Sequence, residues 1–170
     1  MAEYISSDTN VWIDFYTIGA VHLPFKLSCT YLMWDVAIAD EVRSPEGLRE
    51  ELVSDGLVPA KISEDEFWLA DSYTDRYAGI SVYDAAALAI AKSRGIALMT
   101  GDRRLRHAAA DEGVEVTGTI GVLDRLRDEG IVGLKEYRAH IAALLAANGG
   151  VVRLPKNELL KRLGGEDDSQ

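Results

Sequence analysis

Residues 81–102 read SVYDAAALAIAKSRGIALMTGD, an alanine-rich segment followed directly by a short apolar run and an acid. Ser81 and Asp84 have the spacing of a capping box, so a helix is expected to begin here, and Gly95 is expected to end it. Residues 96–99 are then predicted to form a buried strand. A helix that leads straight into a buried strand is typical of α/β proteins.

The same alternation of strand and helix runs along most of the chain. Strands are predicted at Tyr4 to Ser7, Cys29 to Trp34, Leu57 to Ile62, Ile96 to Met99 and Val114 to Thr117. Two further helices, Leu134 to Ala147 and Asn157 to Leu163, follow the last strand. This order predicts a three-layer α/β/α sandwich with a central parallel sheet, plus C-terminal helices.

Length and composition indicate one domain, because 170 residues with 48% hydrophobic content suffice for a single ordinary core. We expect residues 1–132 to form the α/β part, residues 133–163 a C-terminal helical extension of the same domain, and residues 164–170 an acidic disordered tail. Apolar runs are too short to span a membrane. The lone Cys29 excludes an internal disulfide, so a cytoplasmic setting is expected.

Four acids are predicted where an apolar, strand-like run gives way to helical periodicity: Asp8, Glu41, Asp84 and Asp102. The carboxyl ends of parallel strands meet at one edge of a sheet, so these side chains should converge. Two carboxylates about 4 Å apart repel by roughly 4 kcal/mol at an effective dielectric near 20. Converging acids therefore need protons or a divalent cation, and a hard, oxygen-ligated ion such as Mg²⁺ suits them.

Each acid also has a structural explanation that the sequence leaves open. Asp and Glu at helix starts cap exposed amides, and Asp84 fits this role through its capping box. Glu41 follows Asp40 inside a helix, where paired acids usually face solvent. Asn10 and Thr100 lie near two of the acids and are expected either to orient them or to serve in turns.

The charge pattern bears on binding to nucleic acid. A formal net charge of -10 argues against broad electrostatic attraction to phosphate. It does not exclude a nuclease, because acids that carry a divalent cation attract phosphate locally. Arg103, Arg104 and Arg106 crowd the helix after Asp102 and are possible RNA phosphate contacts, or else an exposed helix face.

Taken together, four motifs resemble the PIN-domain ribonucleases over roughly residues 4–130. They are Ser7-Asp8-Thr9-Asn10-Val11, the helical Glu41, Asp84-Ala85-Ala86-Ala87-Leu88-Ala89-Ile90-Ala91 and Met99-Thr100-Gly101-Asp102. Their order is most similar to that in VapC-type toxins and close prokaryotic relatives.

The resemblance implies that Asp8, Glu41, Asp84 and Asp102 hold one or two Mg²⁺ or Mn²⁺ ions, with Asn10 and Thr100 in support. Asp8 and Asp102 would be direct ligands, Asp84 a shared ligand, and Glu41 a ligand or the base that orients water. Many relatives carry another acid or amide just after the last aspartate, where this chain has Arg103 and Arg104. One firmly held ion is therefore expected rather than two.

The leading hypothesis is a metal-dependent endoribonuclease that hydrolyses RNA phosphodiester bonds, as the toxin component of a type II toxin-antitoxin system. Its expected partners are RNA, a cognate antitoxin protein and a second copy in a homodimer. The helix Val82 to Ala91 and the apolar face of Leu134 to Leu145 are candidate surfaces for such protein contacts, or else they pack inside the molecule. The alternative is a catalytically silent PIN-like module that binds RNA or protein. An aspartyl phosphatase fits poorly, because Asn10 stands where its second Asp is needed.

Overall fold

Five short strands form one parallel sheet in the order β3-β2-β1-β4-β5. In the computed structural model, which describes residues 2–164, they are β1 (Glu3–Ser7), β2 (Cys29–Trp34), β3 (Val58–Ala60), β4 (Ala97–Met99) and β5 (Val116–Thr117). All neighbouring pairs are parallel. The predicted third strand lies at an edge, where the missing amide of Pro59 costs no central ladder bond.

Nine helices accompany the sheet within that range. They are α1 (Thr9–Thr17), α2 (Asp35–Glu41), α3 (Leu48–Asp55), α4 (Glu64–Arg76), α5 (Val82–Arg94), α6 (Arg103–Asp111), α7 (Thr119–Asp128), α8 (Leu134–Ala147) and α9 (Lys156–Arg162). A short 3₁₀ turn at Leu23–Lys26 was not predicted. The helix expected from residue 82 to Gly95 is confirmed, with Gly95 as its left-handed C-cap.

The strand order creates a switch point between β1 and β4. The chain proceeds from β1 outward to β2 and β3, then crosses back and proceeds from β4 to β5 in the other direction. The crevice beyond the carboxyl ends of two such strands is where α/β folds place their ligands. Residues that follow β1 and β4 therefore lie at the favoured position for a functional site.

Two apolar clusters cover the two faces of the sheet. The larger one joins α1, α2, α3, α7, α8 and α9 to the β1 and β2 side chains. The smaller one joins α4, α5 and α6. Leu98 and Met99 alternate between them, as successive strand residues do. The predicted three-layer α/β/α architecture is confirmed.

The surface of α5 is not available to a partner protein over most of its length. Residues Ala85 to Ala91 are each at most 5% exposed, because α4, α6 and the sheet cover them. Of the two alternatives for this helix, intramolecular packing is therefore the correct one over Ala85 to Ala91. Among residues 2–164, no helix has the length and apolar content needed to span a membrane. Apart from Gly164, the expected acidic tail lies outside the described residues.

Candidate active site

Asp8 lies directly after β1 at the switch point of the sheet. It is the N-cap of α1, and its Oδ1 accepts a 2.6 Å hydrogen bond from the backbone amide of Thr9. Its Oδ2 accepts a 2.8 Å bond from the hydroxyl of Thr100, which follows β4. The side chain is only 5% exposed. Two adjacent strands thus hold this carboxylate in one orientation.

Asp102 lies after β4 on the other side of the same crevice. It caps α6, since its Oδ1 accepts a 2.8 Å bond from the amide of Leu105. Its own amide donates to the Thr100 hydroxyl at 3.1 Å. The Thr100 hydroxyl therefore links the two acids, because it donates to Asp8 and accepts from Asp102.

Glu41 and Asp84 reach the site from helices rather than from strand ends. Glu41 is the last residue of α2, and its Oε1 accepts a 2.9 Å bond from the hydroxyl of Thr9. Asp84 lies in the first turn of α5, where it forms a capping box with Ser81. The expectation that all four acids follow strand-like runs is thus wrong for these two, because α2 ends at Glu41 and α5 follows α4.

The four acids nevertheless form one electrostatic group. Burial, and then the charge of Asp84, raises the pKa of Asp8 to about 7. Burial, followed by the charge of Asp84, raises the pKa of Glu41. Burial and the charge of Asp102 raise the pKa of Asp84. No ion pair within residues 2–164 neutralises any of the four.

This donor set fits a divalent cation. The groups are hard oxygen donors, and partly buried carboxylates that repel one another are stabilised by a shared positive charge. However, over the described range no group of three or more His, Cys, Asp or Glu side chains is already arranged to hold a metal ion. Asp8, Asp84 and Asp102 instead point their oxygens at backbone amides. Within the described residues Asp84 and Asp102 each accept such a bond through one oxygen only, which leaves the second carboxylate oxygen of each as a donor for an ion.

A comparison with family models decides the classification. The model DUF3368, described as a PIN domain, matches residues 4–164. The chain belongs to the PIN-domain family. Members of this family are generally nucleases that use divalent metal ions. Neither the comparison with curated proteins nor that with solved structures gave a match.

One further acid of this PIN domain was missed from the sequence. Asp14 lies one helical turn after Asn10 on α1, is 6% exposed, and accepts a 2.6 Å bond from the hydroxyl of Thr119. Burial raises its pKa to about 6. The Asn10 and Asp14 pair at helical spacing was the available signal, although nothing in the sequence places Thr119 beside it.

A cleft of about 460 Å³ opens beside Asp102. Its lining includes Asn10 and Asp14 from α1, Arg103 from α6, and Arg153 from the loop between α8 and α9. Of the four site acids, only Asp102 lines it. Asn10 is exposed, lies in the lining of this cleft and makes no hydrogen bond to these acids within the described part of the chain, so its supporting role stays a prediction.

The predicted arginines lie around neighbouring clefts. Arg103 and Arg106 line a second cleft of about 730 Å³ beside β5 and α7. Together with Arg104 they also line a third, of about 890 Å³. One nitrogen of the Arg106 guanidinium is already hydrogen-bonded within the domain, since its Nε donates to the Thr100 carbonyl at 3.0 Å. Three clefts thus meet near Arg103, at the start of α6.

Proposed function

We propose that this PIN domain is a metal-dependent endoribonuclease that hydrolyses RNA phosphodiester bonds with Mg²⁺ or Mn²⁺. The observation that carries the proposal is the electrostatic group of Asp8, Glu41, Asp84 and Asp102 at the switch point of the sheet. Helix capping explains the hydrogen bonds of Asp8, Asp84 and Asp102 one by one. It does not explain why they lie together with Glu41 and without an ion-pair partner among residues 2–164. Burial together with neighbouring carboxylates raises the pKa values of Asp8, Glu41 and Asp84, and perturbed carboxyls of this kind are typical of functional sites.

Each of the four acids has a proposed role in binding the ion or the attacking water. Asp8 and Asp102 would hold the ion directly, Asp84 would share it, and Glu41 would be a ligand or would orient the attacking water. When bound, the cation supplies charge neutralisation at the scissile phosphate and an activated water. The hydroxyls of Thr9 and Thr100 keep Glu41 and Asp8 in position.

Substrate binding is assigned to the arginines of α6. Arg103 and Arg104 are exposed and have no acidic partner among residues 2–164, so they are free to contact phosphate. Arg106 is the third candidate, at the edge shared by two clefts. Arg103 and Arg104 stand where relatives often carry a further acid. Their positive charges favour a site for one ion over a site for two.

The order of the motifs supports a narrower proposal, namely the toxin of a type II toxin-antitoxin pair. We propose that it acts in the cytoplasm on RNA, is inhibited by a cognate antitoxin, and forms a homodimer. We further propose that residues 1–132 carry the nuclease site and that residues 133–163 extend the same domain. A small DNA-binding protein encoded beside this chain would support the toxin assignment.

Replacement of the strand-end acids tests the enzyme. Asp8→Asn and Asp102→Asn are expected to reduce cleavage of single-stranded RNA in Mn²⁺ at least about 100-fold, a loss of about 2.7 kcal/mol of transition-state stabilisation. Asp55→Asn, an exposed acid at the end of α3, is the control and should retain activity. Full cleavage by a folded Asp8→Asn or Asp102→Asn variant would refute the site.

A catalytically silent module is the second candidate, because within residues 2–164 no three acids are already arranged around an ion position. The two candidates differ in cation binding. The endonuclease requires that Mn²⁺ raises the melting temperature of the wild type and not that of Asp8→Asn, since a ligand that binds only the folded state stabilises it. RNA binding without this shift would favour the silent module.

A further inference from the structure

The loop between α8 and α9 contributes part of the cleft beside Asp102. Gly150, Val151 and Arg153 lie in its lining, together with Arg103 of α6. Arg103 and Arg153 also line the neighbouring cleft at β5 and α7. The two clefts are therefore joined at these two arginines, which come from elements far apart in the chain.

This loop has a defined conformation. The Asn148 side chain binds both backbone groups of Leu154: its Nδ2 donates to the carbonyl at 2.9 Å, and its Oδ1 accepts from the amide at 2.8 Å. The amide of Gly149 donates to the Val152 carbonyl at 2.9 Å. The Val152 side chain is fully buried in the larger core. Because Val152 and Leu154 are both fixed, the backbone that carries Arg153 is fixed as well.

The charges around Arg153 indicate an anionic ligand. Among residues 2–164, Arg153 and Arg103 have no ion-pair partner, although the chain has a net charge of -10 and an excess of carboxylates. Arg162, which lines the second cleft, contrasts with them because it is neutralised by Asp124 at 2.7 Å and Glu158 at 2.8 Å. Two unpaired guanidinium groups at the junction of two clefts suit successive phosphates of one strand.

We propose that Arg153 is a phosphate-binding residue that, with Arg103, holds the backbone of the RNA strand on the side of the cleft formed by the C-terminal extension. The proposal deepens the proposed function and rests on it for the identity of the ligand. It assigns the extension a part in substrate binding, and it makes Arg153 a residue that acts on binding rather than on the chemical step.

The test measures binding without cleavage. A short fluorescein-labelled oligouridine is titrated in EDTA at low salt, and its anisotropy is followed. Arg153→Gln and Arg103→Gln are each expected to weaken binding roughly tenfold, as loss of one charge-assisted hydrogen bond does. Each should also reduce the salt slope by about 0.7, the value for one contact to a single strand. Arg153→Lys, which keeps the charge, should restore part of the affinity.

Arg138→Gln is the matched control, because Arg138 is an exposed arginine of α8 in the same extension and lines neither cleft. It should bind within about twofold of the wild type. In Mn²⁺, Arg153→Gln should raise KM and leave kcat nearly unchanged, since the contact is equal in the ground and transition states.

The outcomes separate this proposal from the endonuclease itself. If Arg153→Gln binds as tightly as Arg138→Gln while the wild type cleaves RNA, the role of Arg153 is refuted and the enzyme stands. If Asp8→Asn cleaves as well as the wild type but Arg153→Gln loses binding, the enzyme site is refuted and the phosphate contact stands. Absence of oligouridine binding by the wild type, or binding confined to an oligothymidine DNA of equal length, overturns the proposal.

Discussion

Asp14 is a buried acid held by a neutral hydroxyl, and its protonation is therefore tied to folding. Burial raises its pKa from 3.8 to about 6, although the bond from Thr119 opposes this rise. A carboxyl whose pKa is higher in the folded state favours folding fully below its unfolded pKa. That contribution is lost as the pH rises through the folded pKa. The relevant window is pH 3.8 to about 6.

Asp14→Asn should therefore change the pH dependence of stability. A neutral amide has no charge to bury, so the variant should not lose stability in this window as the wild type does. The difference in free energy of unfolding, variant minus wild type, should therefore increase as the pH rises from about 4 to about 6. The increase should be up to about 3 kcal/mol. Urea unfolding between about pH 4 and 8 measures this difference. The exposed Asp55→Asn should follow the wild type at every pH. A constant difference for Asp14→Asn across the window would contradict the assignment.

The sequence predicts the positions of acids that follow strands better than the positions of acids inside helices. Asp8 and Asp102 could be located because the carboxyl ends of neighbouring parallel strands necessarily meet. Asp14 could not, since it lies among apolar α1 residues and its partner Thr119 is 105 positions away in the chain. Its burial depends on how α7 packs against α1, which periodicity does not determine.

Two helices of this domain begin with the same capping box but differ in the charge beside it. In α4 the box acid is Glu66, which Arg94 binds through Nε at 2.7 Å and Nη2 at 3.1 Å. In α5 the box acid is Asp84, whose pKa is raised by burial and by the charge of Asp102. Glu66 thus has a cationic partner in Arg94, whereas Asp84 has no ion pair among residues 2–164.

Matched amide substitutions exploit this contrast. In EDTA at neutral pH, Glu66→Gln should lower the free energy of unfolding by about 1 to 3 kcal/mol, because Arg94 loses its charged partner. Asp84→Asn should leave it unchanged or raise it, because repulsion within the acid group decreases while an acceptor for the Ser81 amide remains. Urea unfolding measures both.

Added Mn²⁺ supplies the second half of this test. The ion should stabilise the wild type and Glu66→Gln by similar amounts, and Asp84→Asn by much less. If Mn²⁺ stabilises Asp84→Asn as much as the wild type, Asp84 serves only as a cap.

The bounds of the helices and strands show which structures can be predicted from local sequence signals. The capping residues Ser81 and Asp84 and the terminal Gly95 predicted α5 closely, because the hydrogen bonds that start and end a helix are local. The predicted bounds of β2 were correct, but three strands were predicted too long: Leu57 to Ile62 contains only Val58–Ala60, Ile96 to Met99 only Ala97–Met99, and Val114 to Thr117 only Val116–Thr117. A strand extends only as far as its neighbour pairs with it, and the sequence of the strand does not show its neighbour.

The C-terminal helices are joined to the rest of the molecule by packing and by charge. Tyr137, Ile141 and Leu144 of α8 lie in the same core as α1 and β1. Arg162 of α9 reaches Asp124 of α7 at 2.7 Å. These contacts support the proposal that residues 133–163 extend the domain. The proposed role of Arg153 requires such an extension, because a segment that moved separately could not hold a guanidinium at the cleft.

Adjacent leucines of α9 test this cooperativity. Leu159 is fully buried in the larger core, whereas Leu160 is 41% exposed. Leu159→Ala should lower the free energy of unfolding by about 2 to 5 kcal/mol, the cost of a cavity in a packed core. Leu160→Ala should cost below about 1 kcal/mol, since it removes less buried surface and leaves no enclosed cavity. Calorimetry should show one transition in both variants, shifted downward in Leu159→Ala. A second, lower transition in Leu159→Ala with the main one unmoved would mean that the extension folds separately, and it would remove the rigid support that Arg153 needs.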